Sequence, residues 1–203
     1  MIDSFHTIPE RVSARISRKR SRFHSFVLPV ETLEDVDREL GALRREHRDA
    51  AHVCSAYRLR GESAALSGSA DDGEPSGSAG LPILQQLEKA GIVDVLAAVV
   101  RYFGGVKLGV GGLVRAYSDA VAEALSTTTI VERRLETRLR ITYEPSLTSA
   151  VMQTIHRLDA NVERIEYDSE AVAVVTVPPS RACAFVDGLR EATGGRAKAE
   201  VSG

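Results

Sequence analysis

RYFGGVKLGVGG, Arg101 to Gly112, lies between the apolar run Val95 to Val100 and the helically patterned stretch Leu113 to Leu125. It reads as strand Val93 to Phe103, glycine loop, then helix. That arrangement aims free backbone N–H groups at an anion. A second glycine-rich segment, SADDGEPSGSAG at Ser69 to Gly80, also opens a helix, because Pro82 suits a first helical turn and Gly91 suits the stop after Ala90. Ordered glycine gathers where backbone must turn sharply or come close to something else. The loops, not the core, are therefore where function is to be sought, and both are expected to line one cleft.

Working outward, Arg11 to Ser17 and Ser21 to Val30 alternate as a strand pair, with Arg18, Lys19, Arg20 and Arg22 at the turn. Residues 1–10 read as a loose tail. Thr32 is placed to cap a helix running to about Arg48, with Glu34, Asp35 and Asp37 in its first turns. His52 to Leu59 has strand character, and Arg60 to Gly80 reads as one long loop. Thr127 to Glu136 reads as a linker. Beyond it come strand Thr137 to Tyr143, helix Ser146 to Leu158, strands Asn161 to Tyr167 and Ala171 to Val177, helix Ser180 to Thr193 and strand Arg196 to Val201. That βαββαβ order belongs to a ferredoxin-like split βαβ unit, a scaffold from which function cannot be read.

The 203 residues, 43 % of them hydrophobic, can bury a sizeable core as one large or two small domains. A net charge of −2 argues against a protein coated for non-specific nucleic-acid binding, so any basic footprint must be local. Cys54 and Cys183 are too few and too distant for a disulfide framework, and no CxxC or HxxxH spacing offers a metal site. No stretch approaches the length of a membrane span, and the default expectation is a soluble cytoplasmic protein.

DDGEPSGSAG at Asp71 to Gly80 and VVRYFGGVKLGVGGLVRAY at Val99 to Tyr117 together resemble the signature of the YigZ/IMPACT family. KRSRF at Lys19 to Phe23 is similar to the family's N-terminal basic motif, and AHVCSAYRLRG at Ala51 to Gly61 to its histidine–cysteine strand. The resemblance implies an α/β (α+β) protein of two domains. Residues 11–126 would fold like the second domain of a small-subunit ribosomal protein, and residues 137–201 would form the small ferredoxin-like C-terminal domain of bacterial members. It also implies a link to translation, since eukaryotic relatives bear on translational control. RNA, the ribosome, a translation factor or another protein are the implied partners.

In the second loop, the failure of both the Walker A and the GxGxxG patterns leaves a general anion cradle. Its candidate binding residues are Gly104, Gly105, Lys107, Gly109, Gly111 and Gly112, with Arg101 and Arg115 as flanking cations and Gly77 from the first segment. The competing reading is that these glycines permit close packing and turns. Asp71, Asp72 and Glu74 could hold a hard cation or act as bases, or could stabilise a turn and pair with Arg101 or Lys107. His52 and Cys54, two apart on a strand, share a face, and a Cys–His nucleophile stands against a buried cysteine beside a satisfied histidine. His6, His24, His47 and His156 look isolated. The basic cluster at the first turn, with Phe23 or Tyr57 as stacking groups, could hold nucleic acid or protect a sheet edge. No cofactor is implied. The leading expectation is a translation-associated binding protein, and the alternative is a metal-assisted phosphotransferase or phosphoesterase.

Overall fold

The computed structural model describes residues 2–61 and 64–202. It divides into two units, His6–Arg133 and a second made of the first five residues with Arg134–Gly203. Strand β1 (Ser4–Thr7) occupies the expected tail and pairs with β7 (Val131–Arg134) in the expected linker. The tail is ordered because it carries core residues: Phe5 and Ile8 are buried, and the His6 carbonyl accepts the Val93 N–H at 2.9 Å.

In the larger unit, β2 (Val12–Arg18) and β3 (Ser21–Pro29) form a hairpin in which Arg18 faces Ser21. Lys19 and Arg20 make the two-residue turn with φ of 45° and 67°. This is the primed geometry that matches strand twist, normally supplied by asparagine and glycine. Cationic residues held there each forgo about 1 kcal/mol of backbone preference. Helix α1 (Leu33–Glu46) starts at a capping box: the Asp35 N–H donates to the Thr32 hydroxyl, and the Thr32 N–H donates to the Asp35 carboxylate, both at 3.1 Å.

After β4 (His52–Leu59), the stretch expected to be one long loop contains β5 (Leu66–Ala70), paired antiparallel with β4. Glu62 and Ser63 of that stretch lie outside the described residues. The unit continues with α2 (Gly80–Lys89), β6 (Val95–Tyr102) and α3 (Val110–Ser126). The sheet order is β2-β3-β6-β4-β5, and all four neighbouring pairs are antiparallel. Central β6 reads as an unbroken apolar run because both its faces are covered. Helices α2 and α3 pack on one face through Ile83, Leu87, Ala116, Tyr117 and Ala120, against Phe23, Cys54 and Val99. Helix α1 covers part of the other through Val36, against Leu28, Leu59 and Leu96.

The smaller unit runs β8 (Thr137–Tyr143), α4 (Thr148–Arg157), β9 (Asn161–Tyr167), β10 (Ala171–Val177), α5 (Ala182–Thr193) and β11 (Lys198–Val201). Its antiparallel sheet has the order β11-β8-β10-β9, so the first and third strands are central. Both helices contribute to one core with Ile141, Tyr143 and Val175, among them Val151, Ile155, Phe185 and Leu189. Helix α5 ends on Gly194 in the left-handed region, where the Gly195 N–H returns to the Arg190 carbonyl at 2.8 Å.

Candidate functional site

Two helices follow glycine-rich segments, and their first turns differ. At α2 the Asp71 carboxylate turns back on its own loop. One oxygen accepts the Gly77 N–H at 2.8 Å, and the other accepts those of Ala79 and Gly80 at 2.9 and 2.8 Å. Burial pushes the Asp71 carboxyl up, but these three backbone donors outweigh it and hold the group below its ordinary value. The chain thus supplies its own anion to this helix. Gly77, expected to bind a ligand, is already engaged, and Asp71, a candidate base or metal ligand, is a structural acceptor.

At α3 no such acceptor is present. The helix begins three residues earlier than the sequence pattern implies, so Gly111 and Gly112 belong to its first turn. Its N-cap is Gly109, with φ of 75° and no side-chain cap, and the first turn carries no acidic residue. The Leu113 N–H is bonded to the Gly109 carbonyl at 2.9 Å. The N–H groups of Val110, Gly111 and Gly112 precede that bond and stand outside the helical ladder. A Cβ built on Gly111 would meet nothing within 4 Å, so neither packing nor a positive φ explains a residue that weakens helices. Gly104 is different. A Cβ there would come within 2.1 Å of the Arg20 backbone, and its N–H donates to the Ser21 hydroxyl at 3.2 Å, so its role is to seat the loop on the β2–β3 turn.

The uncapped first turn borders a cleft of about 410 Å³. His52, Glu74, Pro75 and Arg101 line it together with Phe103, Lys107, Gly109 and Val110. Both glycine-rich segments therefore reach one cleft, the first through Glu74 and Pro75 rather than through its glycines. Phe103 and Val110, more than half exposed, give the rim an apolar character, and Lys107 is exposed beside them.

Beneath the cleft lies a buried polar network. Arg101 donates through Nη1 to Glu74 Oε1 at 2.5 Å and through Nη2 to the Ser21 hydroxyl at 3.4 Å, and its guanidinium lies over the Phe23 and Phe103 rings. The Tyr117 hydroxyl donates to the same Glu74 oxygen at 2.7 Å. Arg101, expected to contact a ligand phosphate, borders the cleft but is buried, and its charge is met by Glu74. The Cys54 thiol lies 3.0 Å from the Asp71 carbonyl and 3.3 Å from the Tyr117 hydroxyl oxygen. Burial, reinforced by the carboxylates of Glu74, Asp72 and Asp71, pushes this thiol up to about 12, the opposite of an activated nucleophile.

The remaining catalytic candidates do not converge. His52 Nδ1 pairs with the Asp72 carbonyl at 2.8 Å, not with Cys54. Asp72 accepts the Val53 N–H at 2.7 Å and pairs with Arg44 at 3.2 Å. Three neighbouring carboxylates thus serve three separate sets of partners, and no group of three or more metal-ligating side chains occurs among the described residues. Phe23 is fully buried, and the half-buried Tyr57 ring fills the space a side chain at Gly68 would need, so neither is an exposed stacking group. Arg115 lies in a neighbouring cavity of about 430 Å³ with Arg18, Lys19, Leu108 and Gly112. Two histidines that look isolated in sequence meet in space: His47 Nδ1 lies 2.7 Å from the Tyr102 hydroxyl, and the His24 ring packs against both.

These features define a two-unit α/β protein whose larger unit presents an uncapped helix start to a cleft with an apolar rim. Comparison with known proteins gives that class a family. The Impact N-terminal domain family matches residues 19–125. IMPACT family member YvyE of Bacillus subtilis (strain 168) is 33 % identical over 97 % of this chain and 90 % of its own. IMPACT family member YigZ of Escherichia coli (strain K12) is 32 % identical over 82 % of each. The crystal structure of a hypothetical protein matches 100 % of this chain and 99 % of its own at a TM-score of 0.70 and 28 % identity. The chain belongs to the IMPACT family. No helix among the described residues is long and apolar enough to cross a membrane.

Proposed function

We propose that this protein is a translation-associated binding protein that takes an RNA phosphate in the α3 cleft. Its membership of the IMPACT family, whose eukaryotic members bear on translational control, supports the biological setting. The observation that carries the ligand reading is the contrast between the two helix starts: Asp71 fills one, and the other opens uncapped into a cleft beside Lys107. Three peptide N–H groups and the helix dipole favour an anion there, and Lys107 adds a full charge. Phe103 offers an exposed ring on which a base can stack. The metal-assisted alternative has less support, because Asp71, Asp72 and Glu74 are each committed elsewhere.

Fluorescence anisotropy with a labelled oligouridylate tests the reading. Lys107→Ala is expected to weaken binding and to lower the salt slope by about 0.7, the share of one phosphate on a single strand. Phe103→Ala is expected to cost about 1–3 kcal/mol of binding if one base stacks there. Wild-type affinity and slope in both variants would overturn the assignment.

A further inference from the structure

The cations of the β2–β3 hairpin form a surface of their own, outside the residues that line the α3 cleft. Val12, Ala14 and Ile16 face the core that α3 covers, so Arg18 follows on that side and pairs with Asp119 of α3 at 2.9 Å. Arg15 and Arg22 lie on the opposite face, opposite His24 and Ser17 respectively. Arg22 is stacked over Tyr102 and Arg11 over Phe26, with centroid distances of 5.1 and 4.9 Å. Lys19 and Arg20 form the turn between the two faces. Among the described residues none of these cations except Arg18 has a carboxylate partner, although the chain as a whole carries a net negative charge. Burial first, then Arg15, His47 and Arg22, hold the His24 imidazole below its ordinary value, while burial, Asp49 and Glu46 push the neighbouring Tyr102 hydroxyl up.

This surface is continuous with the cleft. The cavity that holds Arg18, Lys19 and Arg115 shares Leu108 with the α3 cleft and is also lined by Gly112 of the same first turn and by Asp119, the partner of Arg18. The glycine loop itself rests on the Arg20 backbone through Gly104. We infer that a single-stranded RNA runs from the α3 cleft past Arg115 and Lys19, then around the hairpin turn onto the Arg22 and Arg15 face. The inference rests on the reading of the cleft and adds the path of the rest of the strand.

The shape selects the partner. Cations lie on both faces of the hairpin and on its turn, so a flat anionic surface or a stiff duplex touches only part of them. A flexible phosphodiester chain can follow the bend, and guanidinium groups stacked on aromatic rings suit phosphates and bases alike. An acidic polypeptide is the competing occupant.

The test keeps the hairpin folded while removing its charge. Lys19→Asn/Arg20→Gly places the residues this turn geometry prefers and is expected to melt no lower than the wild type. Arg15→Gln, at an exposed strand position, serves as an independent variant. Binding of an unstructured oligouridylate of about 20 nucleotides is measured across a salt series, with Lys107→Ala alongside. The turn variant is expected to lower the salt slope by about 1.4 and Arg15→Gln by about 0.7, as two and one lost phosphate contacts require. Unchanged slopes in the turn variant and Arg15→Gln overturn the path, whatever Lys107→Ala does. Reduced slopes there with an unaffected Lys107→Ala uphold the hairpin surface and sink the cleft reading instead. Polyglutamate that competes with the oligonucleotide at equal charge concentration, and loses affinity equally in the variants, replaces RNA by an acidic protein as the partner. No binding of RNA by the wild type overturns the inference outright.

Discussion

Arg101→Met separates a buried structural cation from a ligand-binding one. The guanidinium is about 5 % exposed and shares Glu74 Oε1 with the Tyr117 hydroxyl. Removing it leaves a buried carboxylate with one hydroxyl donor, and breaking a buried pair from one side costs about 3–5 kcal/mol. For a unit of this size that corresponds to a fall in Tm of roughly 10–20 °C. Urea unfolding followed by circular dichroism, with the m-value checked so that a changed denatured state is not mistaken for lost stability, gives the cost directly. The Arg101→Met/Glu74→Leu double variant is expected to recover much of the loss, because two apolar groups replace two charges. What remains should be about 1–3 kcal/mol from the orphaned Tyr117 hydroxyl, removable by adding Tyr117→Phe. A single variant that loses under about 1 kcal/mol while its RNA affinity collapses would refute this and restore Arg101 as a ligand contact.

Gly104→Ala should destabilise the protein strongly in thermal melts, since its methyl would meet the Arg20 backbone, whereas Gly111→Ala should leave the melt unchanged or raise stability by up to about 1 kcal/mol. Thiol titration of the native protein near pH 8 should find one reactive group, the exposed Cys183, and a second only on unfolding, because the Cys54 thiol is pushed up to about 12 by burial. Asp71 has its carboxyl held down in the folded state, so its contribution is present above the ordinary carboxylate value and is lost as pH falls through the lowered one. Asp71→Asn should accordingly reduce stability at neutral pH and flatten its decline in acid, read from urea midpoints between pH 7 and 3. An unchanged acid limb would contradict that role.

The parts of the fold that were legible in sequence are those that local physics dictates. The apolar run of β6, the glycine break and the periodic α3 stretch follow from burial and backbone freedom, and Thr32 with Asp35 declares the start of α1. Strand β5 was not legible, because LSGSA lacks the branched and aromatic residues that mark strands, and its conformation comes from pairing with β4. The sequence leaves Arg101 open between a ligand contact and an ion pair with the acids of the first glycine segment, because a central strand is covered on both faces and alternation says nothing about which side a residue meets; the pair with Glu74 is the one that forms. Glu74 is 27 residues away, beyond any local pattern. The meeting of His24, His47 and Tyr102 likewise depends on sheet register and on where α1 ends.

The two helix starts look alike in sequence, glycine-rich and without a serine, threonine, aspartate or asparagine at the N-cap, yet their first-turn amides are differently satisfied for a reason the sequence does contain. Asp71 precedes the amides it satisfies by six to nine residues, farther than a capping residue normally reaches, and only the glycine-rich loop lets it fold back. From Arg101 to Ser118 there is no acidic residue at all, while Lys107 and Arg115 stand on either side of the helix start. A chain that fills one helix terminus with its own carboxylate and gives the other no capping side chain leaves unsatisfied amide donors there, while Glu74, which also lines the cleft, is held by Arg101 and Tyr117. Lys107 lines the same cleft, and a side chain is missing at Gly111, where a Cβ would meet nothing within 4 Å. The proposal that the second loop binds while the first is structural therefore rests on which helix start an acid reaches more than on the number of glycines.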